Sequence, residues 1–207
     1  NSPHNPSGKV FTREELEVVA DLCRRHELLA ITDEVYEHLV YDDALHVPLA
    51  TLPGMRERTM SLSSIGKTFS FTGWKIGWAT GPEAMIRAAQ AAHQFLTFAV
   101  NTPMQLAAAW ALDNVGDSYF QTLRREYTER RDFLARVLLG RGFTLAPCRG
   151  AYFLLADFSK LSRDDDRTFV KEMIRRVKVA AIPPSVFYSA DREEGRKLLR
   201  FAFCKRM

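Results

Sequence analysis

The 207-residue sequence predicts an α/β fold, with a mixed but mostly parallel sheet covered by helices, followed by a smaller α+β part. Short apolar runs alternate with a segment of helical periodicity in the first part of the chain. These runs are continuously apolar, as is typical of strands buried on both faces. The later part of the chain has a different order, with two closely spaced strand-like runs, then a helix and a last strand-like run. The two patterns predict two structural parts.

The first part opens with a turn and continues with one helix. Residues 1–9, NSPHNPSGK, combine prolines and a glycine with small polar residues, which is typical of turns. Thr12 and Glu15 form a capping box, and apolar residues then recur at helical spacing, which predicts a helix over about 13–26. The predicted strands of this part are LLAIT at 28–32, which ends at Asp33 and Glu34, TMSLSS at 59–64 and KIGWAT at 75–80.

A long helical region follows Gly81-Pro82. It extends to about Asn114 and is interrupted near 101–103, because proline cannot donate to the helix ladder. The remaining predicted elements are a helix over about 117–139, a pair of strands within 143–159, a helix at 167–177 and a strand at 197–205. We place the boundary near residue 115, between a large α/β domain over 1–115 and a small α+β domain over 116–207.

Composition narrows the class of protein. The 29 Lys and Arg are interspersed with 25 Asp and Glu, so the net charge of +4 indicates a solvated surface and no nucleic-acid partner. Three cysteines without a CxxC pair argue against a disulfide framework or a cysteine-rich zinc site, and favour a reducing, cytoplasmic setting. No apolar run has the length of a membrane span, so no membrane is expected. Because the sequence begins at Asn1 inside a turn, we expect a preceding N-terminal part, and the last strand suggests that the C-terminus is cut as well.

The stretch SLSSIGKTFSFTGWKIGW at 61–78 carries the most chemistry. Lys67 lies near Ile65, Phe69 and Phe71 in the sequence, so we expect its amine to be partly desolvated. Desolvation lowers the pKa of an amine and makes it available as a nucleophile toward an aldehyde. Hydroxyls beside a second lysine eight positions later suit a phosphate. The alternative is two surface lysines, Lys67 and Lys75, that flank a Ser/Gly loop.

A second group of polar residues lies in ITDEVYEHLVYD at 31–42, directly after a predicted strand. Asp33 at a strand end can pair with a protonated ring nitrogen, and Tyr36 can donate to a ring oxygen. The alternative is a helix-capping Asp33 with Glu34 in the first helical turn. Metal binding by Asp33, Glu34 and His38 has no second ligand cluster to support it, so no metal is predicted.

Four motifs in this order, NSPHNPSGK, ITDEVYEHLVYD, SSIGKTFSFTGWKIGW and LLRFAFCK, resemble the signature series of fold-type-I pyridoxal-phosphate-dependent aminotransferases of class I and II. They are similar to the kynurenine and methionine aminotransferase group. The resemblance covers nearly the whole chain, as a C-terminal portion of such an enzyme. It implies the aspartate-aminotransferase-like fold and the cofactor pyridoxal 5'-phosphate.

The resemblance implies a role for each residue that faces the cofactor ring. Lys67 would form the Schiff base and then move the proton as general base and acid. Asp33 would pair with the pyridinium nitrogen, so that the ring stays an electron sink. Asn5 and Tyr36 would hydrogen-bond the phenolic oxygen.

Further roles concern the phosphate and the substrate. Ser64 and Lys75 would hold the phosphate, although Lys75 stands where many relatives carry arginine, which removes the fork geometry. Arg200 would bind the substrate α-carboxylate through two parallel hydrogen bonds. His4, Phe187 and Tyr188 are further candidates for the substrate pocket, although the alternative of core packing is favoured for the aromatic residues.

The predicted function is transamination between an aromatic or sulfur-containing amino acid and a 2-oxo acid, in a homodimer. One alternative is a cysteine-conjugate carbon–sulfur β-lyase that uses the same cofactor. Another is a non-catalytic fragment or a regulator domain. The resemblance implies that the segment before the NPSG turn supplies a helix N-terminus for the phosphate and a ring that stacks on the pyridine. Neither feature is in these residues. The fragment alone is therefore expected to have weak catalytic activity or none.

Overall fold

The computed structural model describes residues 1–189 and 193–205. Two three-stranded sheets and six α-helices make up its regular structure there, together with short 3₁₀ turns. The helices are α1 Arg13–Arg25, α2 Ile65–Thr68, α3 Glu83–Leu96, α4 Thr102–Asn114, α5 Asp117–Gly140 and α6 Asp166–Val177. The strands are β1 Ala30–Asp33, β2 Thr59–Ser64, β3 Gly77–Thr80, β4 Thr144–Leu145, β5 Phe153–Asp157 and β6 Leu198–Ala202.

The first sheet is mixed, with the order β1-β2-β3. β1 runs parallel to β2, with Asp33 opposite Leu62, and β3 returns antiparallel, with Gly77 opposite Ser64. Parallel strands end at the same edge of a sheet. The residues that follow β1 and those that follow β2 are therefore brought to one edge.

The second sheet is antiparallel, with the order β4-β5-β6. Arg200 in β6 lies opposite Leu155 in β5. The main buried cluster packs this sheet against α5 and α6, and it also takes in Tyr36, Leu39 and Tyr41 from the turn after β1. The predicted α/β fold with a mixed sheet is confirmed, but among the described strands of the first sheet one pair is parallel and one is antiparallel, so that sheet is not mostly parallel. The later antiparallel sheet with its helices agrees with the predicted α+β character, while the domain boundary near residue 115 stays a prediction.

Local capping explains where the helices begin. Thr12 and Glu15 form the predicted capping box of α1. Asn101 accepts a hydrogen bond from the Met104 amide and begins α4, so Pro103 lies in the first turn, where the missing N–H costs nothing. The interruption predicted near 101–103 is thus a new helix start rather than a kink. Asp165 caps α6 in the same way.

Two predicted strands differ in position from those observed. The run 28–32 was expected to be buried, but the strand is Ala30–Asp33, and Leu28, Leu29 and Ile31 are 48%, 67% and 64% exposed. The strand predicted at 75–80 begins only at Gly77, since Lys75 adopts a left-handed conformation with φ of 56°. The last strand is also shorter than the predicted 197–205. Periodicity shows apolar runs, whereas strand ends depend on pairing partners.

The helices α3 and α4 leave large apolar side chains in solvent. No residue of α3 is buried. Phe95 and Leu96 at its end, Phe98 after it and Trp110 in α4 are 86%, 84%, 82% and 65% exposed. Within the described part of the chain, no helix has both the length and the apolar character needed to cross a membrane.

One loop segment, residues 149–151, connects the NPSG turn to the second sheet. The Arg149 and Gly150 amides both donate to the Gly8 carbonyl at 2.9 Å, and the Ala151 amide donates to the Leu39 carbonyl at 2.9 Å. A Cβ placed on Gly150 would lie 2.6 Å from Cβ of Pro3 and 2.8 Å from Cγ2 of Val10. Glycine at 150 is therefore what allows the two segments to approach this closely.

We expect Gly150→Ala to lower the free energy of unfolding by about 1–3 kcal/mol, because the added methyl overpacks a contact with little room to relax. Urea unfolding measures this loss. The matched control is Gly140→Ala, since a Cβ at Gly140 meets nothing within 4 Å. Equal stability of the two variants would contradict the close approach.

Candidate active site

Lys67 lies on α2, the single helical turn that directly follows β2. The Ser64 side chain begins this turn by accepting a hydrogen bond from the Gly66 amide at 3.2 Å. The Thr72 hydroxyl closes the next loop by donating to the Gly66 carbonyl at 2.7 Å. Lys67 is therefore held by a short, locally bonded segment at the edge where β1 and β2 end.

Two tyrosine rings lie near the Lys67 amine. Its Nζ is 6.0 Å from the ring centroid of Tyr36 and 5.7 Å from that of Tyr152. The sequence predicts that Ile65, Phe69 and Phe71 surround the lysine. Ile65 and Phe69 are instead buried in a cluster that includes residues of α4. Phe71 stacks on Trp74 and is 42% exposed. The half-buried amine thus has its aromatic neighbours from distant parts of the chain.

Tyr36 is buried in the turn after β1. Burial raises the pKa of Tyr36, and the neighbouring Tyr152 raises it further, so the phenol stays protonated at any physiological pH. A protonated phenol can donate a hydrogen bond to an anionic oxygen. Tyr36 therefore has the protonation state that the predicted role requires.

Asp33 ends β1 and its residue is exposed. Its Oδ1 accepts a hydrogen bond from the Val35 amide at 3.2 Å. The alternative of a helix cap is wrong in one respect, because turns rather than an α-helix follow Asp33. Asp33 precedes Tyr36 in the chain and lies at the sheet edge that carries Lys67.

Asn5 and Arg200 contact each other directly although they are far apart in sequence. Nη1 of Arg200 donates to Oδ1 of Asn5 at 2.7 Å. This bond orients the Asn5 amide so that its NH₂ group remains available as a donor. The NPSG turn and β6, which carry two of the predicted site residues, therefore meet at one point.

The Arg200 guanidinium lies between aromatic rings and has one buried nitrogen without a partner. Its Cζ is 4.3 Å from the ring centroid of Phe153 and 5.2 Å from that of Phe187. Burial lowers the pKa of Arg200. Nε is buried and has no hydrogen-bond partner in the described structure. Buried donors without a partner are uncommon in proteins, so Nε marks an unusual feature of this guanidinium.

The predicted phosphate residues are less closely grouped. Ser64 caps α2, whereas Lys75 is exposed and makes no polar contact with the described residues. The Ser63 hydroxyl donates to Glu37 at 2.6 Å and so is already engaged. The structure shows no contact between Ser64 and Lys75.

The outer residues of the predicted pocket differ in their surroundings. Nδ1 of His4 lies 2.7 Å from the Ser7 hydroxyl within the NPSG turn, and burial lowers the pKa of His4. Phe187 contacts Arg200, and Tyr188 is 37% exposed. Of these three residues, Phe187 has a direct contact with a predicted substrate-binding residue.

Glu34, the neighbour of Asp33, belongs to a buried hydrogen-bond network. Its carboxylate accepts from the hydroxyls of Thr32 at 2.7 Å and Ser61 at 3.1 Å, and it lies 3.0 Å from Nε2 of His46. Burial by itself would raise the pKa of Glu34, but the hydrogen bonds with His46, Thr32 and Ser61 outweigh burial and lower the pKa. Glu34 is therefore a structural carboxylate.

The side chains that could bind a metal ion are not the set Asp33, Glu34 and His38 that the sequence offers. Ligand atoms of Glu34, Glu37 and His46 lie within 4.8 Å of one another, whereas Asp33 and His38 are not part of this group. Both Glu34 oxygens already have protein partners. The nearby cavity of about 290 Å³, which Glu34 and His46 help to line, is bordered mainly by apolar residues of α1, of β1 and of the adjoining loops, and by none of the residues proposed for the cofactor or the substrate.

Tyr152 and Phe153 are the site residues that the sequence analysis missed. They lie in RGAYF, a motif that contains no charged or nucleophilic group beyond Arg149 and therefore suggests only a core strand. Tyr152 contacts Tyr36 edge to face at 5.2 Å between centroids, and Phe153 supports Arg200. The close approach of residues 149–151 to Gly8 and Leu39 helps to bring them to the site.

These groups suit pyridoxal phosphate. The Lys67 amine suits the aldehyde of the cofactor, and the Asp33 carboxylate suits its ring nitrogen. The Tyr36 phenol and the Asn5 amide are donors that suit its ring oxygen. The Arg200 guanidinium, which donates to Asn5 through Nη1, has further N–H donors that suit a carboxylate. The residues present thus fit the cofactor and an amino-acid substrate.

Comparison with known proteins agrees with this geometry. Residues 1–206 match the model of the family "Aminotransferase class I and II", and the chain belongs to this family. Its solved structural neighbours include an aspartate aminotransferase of Thermus thermophilus, with a TM-score of 0.89 and 29% identity over all of this chain. The aspartate-aminotransferase-like fold is thereby established.

Among individual relatives, mouse kynurenine–oxoglutarate transaminase 3 is 44% identical over all of this chain and 49% of its own length. The structure of N-succinyldiaminopimelate aminotransferase from Mycobacterium tuberculosis has a TM-score of 0.95 and 46% identity, over all of this chain and 53% of that one. YbdL from Escherichia coli, described as having a methionine aminotransferase function, has a TM-score of 0.92 and 38% identity, over all of this chain and 53% of that one. The chain spans about half the length of these relatives.

We expect the adjacent carboxylates Glu34 and Asp33 to differ in their effect on stability. Glu34→Gln should lower the free energy of unfolding by about 1–3 kcal/mol, because it disrupts a buried network. Asp33→Asn, the matched control, should change it by less than about 0.5 kcal/mol. Chemical denaturation at neutral pH measures both.

The effect of Glu34 should depend on pH. Since the pKa of Glu34 is lowered in the folded state, its stabilisation is present above the ordinary value of 4.5 and is lost as the pH falls through the folded pKa. The difference between wild type and Glu34→Gln should therefore shrink in acid. A difference that is constant with pH would contradict this assignment.

Proposed function

We propose that this chain carries the cofactor and substrate residues of a pyridoxal-phosphate-dependent aminotransferase that moves an amino group from an amino acid to a 2-oxo acid. The observation that carries the proposal is the position of the Lys67 amine, within 6.0 Å of the ring centroids of both Tyr36 and Tyr152 and at the sheet edge that also bears Asp33. Membership of the aminotransferase family supports it.

Lys67 would hold the cofactor through Nζ. When bound, pyridoxal phosphate supplies an electron-poor ring that accepts the electron pair left behind by the departing α-proton. A Lys67 amine not bonded to the cofactor would act as general base for the α-proton of the substrate and then as general acid that delivers the proton to the cofactor. The half-buried position of Lys67 limits exchange of that proton with water.

Asp33, Tyr36 and Asn5 would hold the ring. The Asp33 carboxylate, with one oxygen bonded to the Val35 amide, can pair with a protonated ring nitrogen through its other oxygen. The protonated Tyr36 phenol and the Asn5 NH₂ group would donate to the ring oxygen. Ser64 and Lys75 would hold the phosphate.

Arg200 would bind the substrate carboxylate. Its bond to Asn5 and the rings of Phe153 and Phe187 fix the plane of the guanidinium. A fixed, planar fork binds a carboxylate through two hydrogen bonds and thus sets the position of the α-carbon. Because Asn5 would also face the cofactor, the Asn5–Arg200 bond would link the two binding sites.

Aromatic or sulfur-containing amino acids are the substrates we favour. The rings of Tyr36, Tyr152, Phe153 and Phe187 surround the two cationic residues, and such a site suits an apolar or aromatic side chain. Relatives named for kynurenine and methionine fit this class, while another is named for N-succinyldiaminopimelate. The names of these relatives describe transamination, so the carbon–sulfur β-lyase and the non-catalytic fragment are not favoured.

We also propose a homodimer in a reducing, cytoplasmic setting. The exposed apolar side chains of α3 and α4 support a subunit contact, because soluble monomers rarely expose large apolar patches. The three cysteines, Cys23, Cys148 and Cys204, are free, as is usual for reducing compartments.

The first test of the function is covalent trapping. Added pyridoxal phosphate should give a near-visible absorbance band, and borohydride should then fix the cofactor to position 67, as identified by peptide mass spectrometry. Lys67→Ala should lose both, whereas the exposed Lys160→Ala should keep them. Trapping at another lysine, or at none, would contradict the proposal.

The second test concerns the ring nitrogen. Asp33→Ala should lower the rate of amino transfer about hundredfold or more, because electrostatic stabilisation of the developing charge is lost. Its far-UV circular dichroism and unfolding midpoint should stay close to those of the wild type, since Asp33 is exposed. Unchanged turnover would show that Asp33 does not face the ring nitrogen.

A further inference from the structure

We propose that Tyr152 is a positioning residue, whose ring holds the Lys67 amine and the Tyr36 phenol in their relative places. The inference deepens the proposed function and rests on it for its catalytic meaning. It is carried by three independent features of the structure: the contacts of the ring, the way its backbone is fixed, and the conformation of the residue before it.

The ring of Tyr152 contacts both of the residues nearest to the proposed chemistry. Its centroid is 5.7 Å from Nζ of Lys67, and it meets the ring of Tyr36 edge to face, with centroids 5.2 Å apart and planes at 87°. Edge-to-face pairs are a preferred aromatic geometry, and a ring face attracts an ammonium group. Tyr152 therefore fixes the distance between an amine and a phenol that come from different segments.

The backbone of Tyr152 is held on both sides. The preceding segment is bonded to Gly8 and Leu39, and the Tyr41 hydroxyl donates to the Ala151 carbonyl at 2.5 Å. On the other side, the Phe203 amide donates to the Tyr152 carbonyl at 3.0 Å. A ring on so firmly held a backbone can set the position of its neighbours instead of following them.

Ala151, directly before Tyr152, has a φ of 59° and is fully buried. This left-handed conformation is uncommon and unfavourable for a residue with a Cβ. Such conformations persist where the surrounding contacts determine them, and they cluster at functional sites. In this turn the conformation directs Tyr152 toward Lys67 and Tyr36, while Phe153 begins β5.

A second aromatic contact provides the control. Tyr127 of α5 stacks on Tyr152 at 6.1 Å between centroids and is 5% exposed. No contact joins Tyr127 to Lys67 in the described part of the chain. Loss of Tyr127 removes a comparable amount of aromatic packing without removing a ring beside the amine.

The experiment compares acylation of individual lysines in the cofactor-free protein, using a limiting amount of an acetylating reagent and peptide mass spectrometry. Tyr152→Leu should raise the labelling rate of Lys67 about two- to fivefold, because the amine loses the ring that covers and attracts it. The exposed Lys75 should be labelled at an unchanged rate. Tyr152→Phe keeps the ring face and should match the wild type.

Four outcomes would overturn the inference. They are unchanged Lys67 labelling in Tyr152→Leu, an equal rise at Lys75, an equal rise in Tyr127→Leu, and a rise in Tyr152→Phe as large as that in Tyr152→Leu. Should Tyr152→Leu fail to fold, Tyr152→Met fills more of the same volume without an aromatic face and carries the same comparison.

A parallel titration with pyridoxal phosphate separates this inference from the proposed function. Tyr152→Leu should bind the cofactor about two- to fivefold more weakly than Tyr152→Phe. If the wild type attaches no cofactor at Lys67 while the labelling responds as expected, the proposed function fails and the positioning role stands. If the wild type attaches it but neither labelling nor affinity responds, only the role of Tyr152 fails.

Discussion

The candidate site depends on the parallel pairing of β1 with β2. Because Asp33 lies opposite Leu62, the segments that leave the two strands emerge at the same edge. One of them carries Asp33 and Tyr36, and the other carries Ser64 and Lys67. A shift of one residue in this register would move the side chains of β1 to the opposite face, and the amine would lose its acidic and phenolic neighbours together.

A second constraint joins the later part of the chain to that edge. The Gly8 carbonyl accepts two amides from residues 149 and 150, at a distance that a side chain at Gly150 would prevent. This contact brings Tyr152 beside Lys67 and aligns β6 so that Arg200 can bond to Asn5. Arg200 and Asn5, which we propose bind the substrate and the cofactor, are thereby positioned by one short segment that carries no proposed chemical role of its own.

The adjacent carboxylates Asp33 and Glu34 differ in burial and therefore in the bonds that they can form. Both are acids at the end of the same strand, yet Asp33 is exposed with a free oxygen, and Glu34 is buried with partners on both oxygens. Desolvation would make an unpaired Glu34 costly, and the hydroxyls and His46 offset that cost. The Asp33 carboxylate accepts a hydrogen bond only from the Val35 amide among the described residues, through Oδ1, so its other oxygen is available for a ligand.

The sequence by itself determined the order of the elements, the capping of α1 and the motifs that carry Lys67, Asp33, Tyr36, Asn5 and Arg200. These depend on local spacing and residue type, which a chain displays without folding. It did not determine the ends of β1 and β3, the difference between Asp33 and Glu34, or the presence of Tyr152 at the site. Only the tertiary structure decided these, because strand ends depend on pairing, burial depends on packing, and the contact of Tyr152 with Lys67 joins segments that no local pattern relates.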